Sequence, residues 1–334
     1  MWTSLRRCYV NEMEIADGIF RLELPMPFEL KHVNVYLLRD GDGFTLIDTG
    51  LQTEESRHAL QAGLDELKVS VERIRRILIT HIHPDHFGLA AELRERSKAE
   101  LVIHRLEVAL MEPRYARAED LLHDVAAWLS KNGVPAAEAE FLKSASMAAR
   151  EYVTVVEPDT LLEGAERLAI GGGELLTVWT PGHSPGHCCF YWPQRRLLFS
   201  GDHLLPRISP NIGLHPQSGA DPLHDYLASL ERIAGLDVLQ VLPAHGEPFT
   251  DHRSRIATIV AHHGERKDAL VRLVSGGMAS GWELAGRLFH GVIERNVFQQ
   301  RLALQETLAH CQSLAEEGRI VKHVDGGVVT WGAA

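Results

Sequence analysis

Residues 74–86 read Ile-Arg-Arg-Ile-Leu-Ile-Thr-His-Ile-His-Pro-Asp-His. The stretch 74–79 is short, mostly apolar and rich in isoleucine, which predicts a buried strand. The chain then places His81, His83, Asp85 and His86 within six residues. Such a run makes a poor turn and a good metal-binding loop. Imidazole nitrogens and carboxylate oxygens are the ordinary ligands of borderline divalent cations, and neighbouring loop positions aim at different sides. One segment can therefore serve two adjacent ions.

Working outward, 18–24, 33–38 and 44–47 are β-branched or aromatic runs, and the turn residues 40–43 separate the last two. Residues 53–67 predict a helix with Thr53 as its N-cap and Ser56, Leu60, Leu64 and Leu67 on one face. A second helix is expected over 87–96 and a strand over 101–103. Strands return at 174–180, 188–192, 196–200 and 238–242, with a helix at 221–234. Alternation of this kind belongs to an α/β layered protein. Residues 105–150 interrupt it. Ala118, Leu121, Leu122, Val125 and Leu129 follow helical spacing, Asn132-Gly133 stops that helix, and Pro135 opens another. This helical insertion is expected to lie over the cleft, with Leu121, Leu122, Val125 and Trp128 as candidate walls of an acyl pocket. From 252 on the pattern changes to three helices and a hairpin turned by Asp325-Gly326-Gly327. That pattern predicts a winged-helix C-terminal domain at 252–334, following a catalytic domain at 1–251.

Three further fragments follow predicted strands: Thr180-Pro-Gly-His-Ser-Pro-Gly-His187, Ser200-Gly-Asp202 and Leu242-Pro-Ala-His-Gly246. Each exposes a candidate ligand on a glycine-bearing turn at a strand end, where α/β enzymes place their sites. Taken together with residues 80–86, the four fragments resemble the metallo-β-lactamase fold superfamily over roughly residues 15–250. The resemblance implies an αββα sandwich with a glyoxalase II-like metal site at one sheet edge. It implies that His81, His83 and His183 hold one divalent metal ion, that Asp85, His86 and His245 hold a second, and that Asp202 bridges them. His187 and His203 are expected to support the ligands rather than to join them. Zinc is the expected metal, with iron or manganese also compatible with His and Asp donors.

What the resemblance implies chemically is hydrolysis. Two cations sharing a water lower its pKa and take up charge from the group under attack. Asp85 is a ligand and also the expected orienter of the hydroxide. Zinc β-lactamases commonly carry Cys where this chain has Asp202, and flavodiiron members carry Glu where it has His83. Both activities are therefore disfavoured. A thioester or related carboxylic ester is the leading substrate, ahead of a single-stranded nuclease or phosphodiesterase and of a mononuclear iron persulfide dioxygenase.

Composition narrows the partners. The 334 residues carry a formal charge of −11, which disfavours nucleic acid as a partner, since phosphate contacts need Lys and Arg. Residues 252–334 hold 10 Lys and Arg against 8 Asp and Glu, and residues 1–251 hold 24 against 37. The tail helix at 296–317 offers Gln299, Gln300, Arg301 and Gln305 but a single base. Its leucines at 302, 304, 308 and 314 suggest packing on helix 254–274 or on a second subunit, so a homodimer is possible. The start of the chain has Arg6 and Arg7 but no apolar run behind them, and no stretch of about 18 apolar residues occurs, so neither a signal peptide nor a membrane span is expected. Cys8, Cys188, Cys189 and Cys311 form no CxxC pair, which fits a reduced, cytoplasmic protein acting on a small-molecule substrate.

Overall fold

The computed structural model describes residues 13–145, 148–291 and 296–334; Arg6, Arg7 and Cys8 lie outside them. Strands β1 (Glu14–Ala16), β2 (Ile19–Pro25), β3 (His32–Asp40), β4 (Gly43–Ile47), β5 (Ile74–Leu78), β6 (Glu100–His104) and β7 (Thr160–Leu162) form a seven-stranded sheet in sequence order. Its first half is antiparallel, and from β4 on it is parallel. Strands β8 (Arg167–Ile170), β9 (Gly173–Trp179), β10 (Cys188–Trp192), β11 (Leu197–Gly201) and β12 (Gln240–Pro243) build a second sheet in the order β12-β11-β10-β9-β8.

The strand alternation shows why these two sheets stack. In β3, Tyr36 and Leu38 enter a core shared with Cys188, Phe190, Trp192 and Phe199 of the second sheet. Val33, Val35 and Leu37 point the other way, under helices α1 (Glu54–Glu66), α2 (Pro84–Phe87) and α3 (Ala90–Ser97). Adjacent Cys188 and Cys189 likewise face opposite sides, Cys189 packing outward with residues of α7 (Pro222–Ala234) and α8 (His252–Val274). The period of two along a strand produces this αββα layering directly. Strand β4 is buried along its whole length, as a strand covered on both faces must be.

Local signals hold at several helix ends. The Thr53 side chain accepts the Ser56 N–H, and Asp221 accepts that of His224. The single helix expected over 87–96 is instead two. The break falls at Gly88, where a side chain would collide with Gln52 N, Pro84 O and Gly50 O, and where Leu89 N–H donates to Gly50. Close backbone approach, not helix propensity, decides that segment.

Between β6 and β7 run α4 (Arg105–Met111), α5 (Ala118–Lys131) and α6 (Ala136–Ala145). After α8 come β13 (Ala279–Ser280), α9 (Gly281–Leu288), α10 (Val297–Glu316), β14 (Ile320–Asp325) and β15 (Val328–Ala333). The three tail strands pair in the order β13-β15-β14, all antiparallel. Gly326 and Gly327 both take positive φ, 54° and 86°, which is what a two-residue type I′ hairpin requires. A capping box joins Ser280 and Glu283 at the start of α9.

The inserted helices and the tail share one core. Leu121, Val125, Leu129 and Leu142 pack with Leu270, Leu284, Leu304, Leu308, Leu314 and Trp331. Helical spacing in the insertion therefore marks a packing seam. Leu121 and Val125 are buried there, Trp128 is partly buried against the same cluster, and of the expected pocket walls Leu121 also borders a cavity. The tail leucines 304, 308 and 314 are likewise covered within the chain. We predict one cooperative unfolding transition, lowered by Val125→Asp in the insertion and by Leu308→Ala in the tail, the latter by about 2–5 kcal/mol. Differential scanning calorimetry checks this; two transitions, each sensitive to one variant only, would contradict the shared core.

Candidate metal centre

Five loops end at one edge of the sandwich, each at the carboxyl end of a strand: 48–50 after β4, 79–86 after β5, 180–187 after β9, 201–206 after β11 and 243–246 after β12. The first of these carries no ligand motif, yet its Asp48 is buried, takes φ of 60°, and bonds to both Thr80 and His86 of the second loop.

The 81–86 loop is fixed at both ends. His83 stands at the N-cap of α2 with Pro84 in the first turn, the preferred place for a proline. The His86 carbonyl accepts both the N–H and the hydroxyl of Thr49. Gly201 turns the chain at φ of 50°, and a side chain there would lie 2.7 Å from His187 Nε2. Only glycine lets Asp202 follow β11 so tightly. The 243–246 loop is held by β3: Asn34 donates through Nδ2 to the Pro243 and Gly246 carbonyls, and the Tyr36 hydroxyl also donates to Pro243.

These constraints bring all seven candidate ligands together. His83 Nδ1 lies 2.9 Å from both His81 Nε2 and His183 Nε2. His245 Nε2 stands 3.3 Å from Asp85 Oδ2, and His86 Nε2 3.5 Å from the same atom. Asp202 faces both groups: its Oδ2 is 3.5 Å from His183 Nε2, and its Oδ1 is 3.3 Å from His245 Nε2 and 3.5 Å from His86 Nε2. Donors each about 2.0–2.1 Å from one ion, at angles between 90° and tetrahedral, stand about 2.9–3.4 Å from one another. The observed spacings fit that requirement.

Proton placement fits it too. A carbonyl only accepts, so His183 Nδ1 donates to Asn211 O and His245 Nδ1 donates to His32 O. His86 Nδ1 donates to Asp48 Oδ2 at 2.8 Å. Each bond occupies the outer nitrogen and aims Nε2 inward. His86 Nε2, His245 Nε2 and Asp202 Oδ1 are buried without a hydrogen-bond partner, a costly state unless a cation completes it. Burial, reinforced by neighbouring imidazoles, holds His81 well below its usual pKa; burial, then the Arg114 charge, does the same for His83. Burial also acts downward on His245, but Asp202 and Asp85 outweigh it and push the group up to about 9. Protons held there are the ones a cation would displace.

Residues outside the seven set the frame. The Thr80 hydroxyl lies within hydrogen-bonding reach of both Asp48 oxygens and of His81 Nδ1, and the Thr80 N–H donates to Asp48 Oδ1. Glu107 of α4 is fully buried and joins two ligand loops, accepting the Ile82 N–H at 2.9 Å and the Gly186 N–H at 2.7 Å. His187 Nε2 accepts the Asp202 N–H while its Nδ1 meets the Thr180 hydroxyl. His203 lies buried against Tyr226 and His187, and neither of its ring nitrogens has a hydrogen-bond partner. Asp48 and Glu107 escaped the sequence reading. Asp48 could have been noticed as an acid directly after a strand and before Thr49-Gly50, like Asp202 after β11. Glu107 carries no local signal at all.

Comparison with known proteins agrees with this geometry. A family model described as the metallo-beta-lactamase superfamily matches residues 29–245. A Bacillus subtilis protein named "Probable metallo-hydrolase YqjP" is 28% identical over 94% of this chain and 97% of its own. The Homo sapiens protein named acyl-coenzyme A thioesterase MBLAC2 is 27% identical over 72% of this chain and 82% of its own. The crystal structure of a metallo-beta-lactamase family protein from Thermus thermophilus superposes with a TM-score of 0.83 at 33% identity, covering 96% of this chain and 100% of that one. With the sandwich, the strand-end loops and the converging histidines in place, the chain belongs to the metallo-beta-lactamase superfamily.

Proposed function

We propose that the protein is a hydrolase dependent on two divalent metal ions that cleaves an acyl thioester or related carboxylic ester. The observation that carries this reading is the position of Asp202, whose two oxygens are divided between two groups of ring nitrogens. His81, His83 and His183 would hold one ion, Asp85, His86 and His245 the other, and Asp202 both; the same side chains also come within ligating reach of one another in sets of three. Such ions, when bound, polarise the carbonyl under attack and acidify water. Zinc suits the donors, and iron and manganese remain compatible with them.

The chain's own groups do the rest. Asp85 presents a carboxylate beside His245 and His86 and orients the attacking water. Asp48 and Thr80 hold imidazoles in the tautomer that leaves Nε2 bare, and Glu107 keeps loops 81–86 and 183–187 in register. His187 positions the Asp202 backbone and His203 packs behind it. A thiol has an ordinary pKa near about 8.5, so a thiolate departs without a proton, and no acid is required opposite the ligands. An alcohol or amine would need one. The thioesterase name of the human relative supports the same substrate class.

For the tail, the element order and the β13-β15-β14 pairing support a winged-helix reading. Its role here is packing: between 303 and 311 of α10 every residue is buried except Glu306, which is partly so. The first turns, 297–302, are partly exposed, but over 303–311 the helix has no face to place in a nucleic-acid groove. That weighs against the nuclease reading. Cys188, Cys189 and Cys311 are unpaired and buried, which supports a reducing compartment, and no helix among the described residues is long and apolar enough to cross a membrane.

The metal reading has direct consequences. Purified protein should contain two ions per chain by elemental analysis. Asp202→Ala should lose at least one of them and nearly all turnover, whereas His187→Ala should keep both and lose about 10–100-fold in activity. Equal metal loss in the two variants would contradict the assignment. Glu107→Ala should strand two buried N–H groups, costing about 2–5 kcal/mol of stability and weakening metal binding with no ligand removed. Chemical denaturation and metal titration read the two effects. On substrates, acyl thioesters should be hydrolysed fastest in a panel that includes lactones, phosphodiesters and RNA, and chelation should abolish the activity. Phosphodiester cleavage without thioester cleavage would overturn the proposal.

A further inference from the structure

Beside the candidate metal centre lies positive charge with no acidic partner among the described residues. Arg117 pairs with Glu112 and Asp120 at 3.5 and 3.7 Å. Arg114, one turn earlier, makes no such pair among the described residues. Its position is nonetheless fixed. The neighbouring Tyr115 hydroxyl donates to the Ile82 carbonyl at 2.6 Å, between His81 and His83, and Arg150 Nε donates to the Tyr115 carbonyl. The Arg114 charge consequently acts on His83.

Arg301 reaches the same place from the tail. Its Nε is buried without a hydrogen-bond partner, and burial together with the Arg114 charge holds its pKa down to about 10. One turn along α10, the Gln305 carbonyl accepts the Leu214 N–H. This ties the helix to the loop whose Asn211 carbonyl holds the candidate ligand His183. His215 sits in that loop. Its Nδ1 accepts the Gln217 N–H, so its Nε2 carries the proton and is a free donor. Burial, then Arg114, Arg301 and His183, keeps the ring neutral. Pro113 and Pro216, the neighbours of Arg114 and His215, line a cavity of about 540 Å³ whose walls mix Leu110 and Leu121 with Asp120 and Asp124.

Two guanidinium groups without carboxylates, one with a buried bare donor, are costly to hold together unless a ligand supplies the missing charge. Planar forks of N–H donors match the oxygens of carboxylate and phosphate. We infer that Arg114, Arg301 and His215 form a recognition site for an oxyanion, a carboxylate or phosphate, carried by the substrate, with the adjoining part of the same molecule in the neighbouring cavity. The anionic chemistry stands on these residues; that it belongs to a thioester rests on the function proposed above. The inserted helices and the tail then act in specificity as well as in packing, because each supplies one arginine.

The test uses the metal-loaded full chain with three thioesters: an acyl-coenzyme A, which brings phosphates; a glutaryl thioester of N-acetylcysteamine, which brings a carboxylate; and the neutral butyryl thioester of the same thiol. Arg301→Gln should raise KM about 10- to 100-fold for at least one anionic substrate, with kcat nearly unchanged and the neutral substrate unaffected. Arg301→Lys should recover part of the loss, and whichever anionic substrate responds names the source of the oxyanion. Arg114→Gln, on a different element, should reproduce the pattern if Arg301→Gln misfolds, as judged by its melting temperature. Equal KM changes for charged and neutral substrates would overturn the site. If wild-type protein hydrolyses no thioester, the functional reading fails alone, and calorimetric titration with pyrophosphate and with glutarate decides the site. Binding of either anion weakened in both variants supports it, and binding unchanged in both, or absent from the wild type, overturns it.

Discussion

Lone pairs crowded into a dry space are the constraint on which the rest of this structure depends. His81 Nε2 and His183 Nε2 both stand 2.9 Å from His83 Nδ1, and Asp202 is drawn between them and the imidazoles of His86 and His245. Donor atoms do not gather at such separations for their own sake. They are forced there by bonds made behind them, to Asp48, Thr80, Asn211 O and His32 O, each of which spends the outer nitrogen and aims the inner one. The strained backbone of Asp48 and the tight turn at Gly201 are tolerated because they complete this frame.

The scaffold answers the same demand at longer range. Strand ends bring loops to one edge, but nothing in a strand fixes a loop's height or tilt. Glu107 does so across two loops, and Asn34 with Tyr36 does so for the loop of His245. Glu107 itself sits on the first inserted helix, whose Met111 packs in the core under β3, and the next two inserted helices share a core with the tail. The centre is therefore linked to the insertion through Glu107, and the rest of the insertion to the tail through their common apolar cluster.

How much of this could be read beforehand follows from the range of the interaction. Thr53 as a cap, Gly326-Gly327 as a hairpin turn and the strand at 33–38 are decided within a few residues, and all were legible. The structure places the seven candidate ligands within reach of one another in sets of three, and they were legible through the family resemblance that four chemically unusual fragments carry. The split between α2 and α3 was not, since it depends on Gly50 approaching Gly88 from elsewhere in the chain. Helical periodicity at Leu121 and Val125 reveals a buried face without revealing what covers it, so pocket walls and a packing seam look alike in sequence. Glu107 and Arg301 gain their meaning from groups far along the chain, at Gly186 and Arg114, and no local pattern announces them, whereas Asp48 carries the weak signal of an acid directly after a strand.

Cobalt titration of the metal-free chain, followed by electron paramagnetic resonance, tests the central claim most directly. Two ions held by one shared carboxylate should bind with two equivalents per chain and couple magnetically, so that the signal of the first ion falls as the second enters. Asp202→Ala should abolish that coupling. Saturation at one equivalent, or two ions whose signals simply add, would contradict a single binuclear centre built from these seven residues.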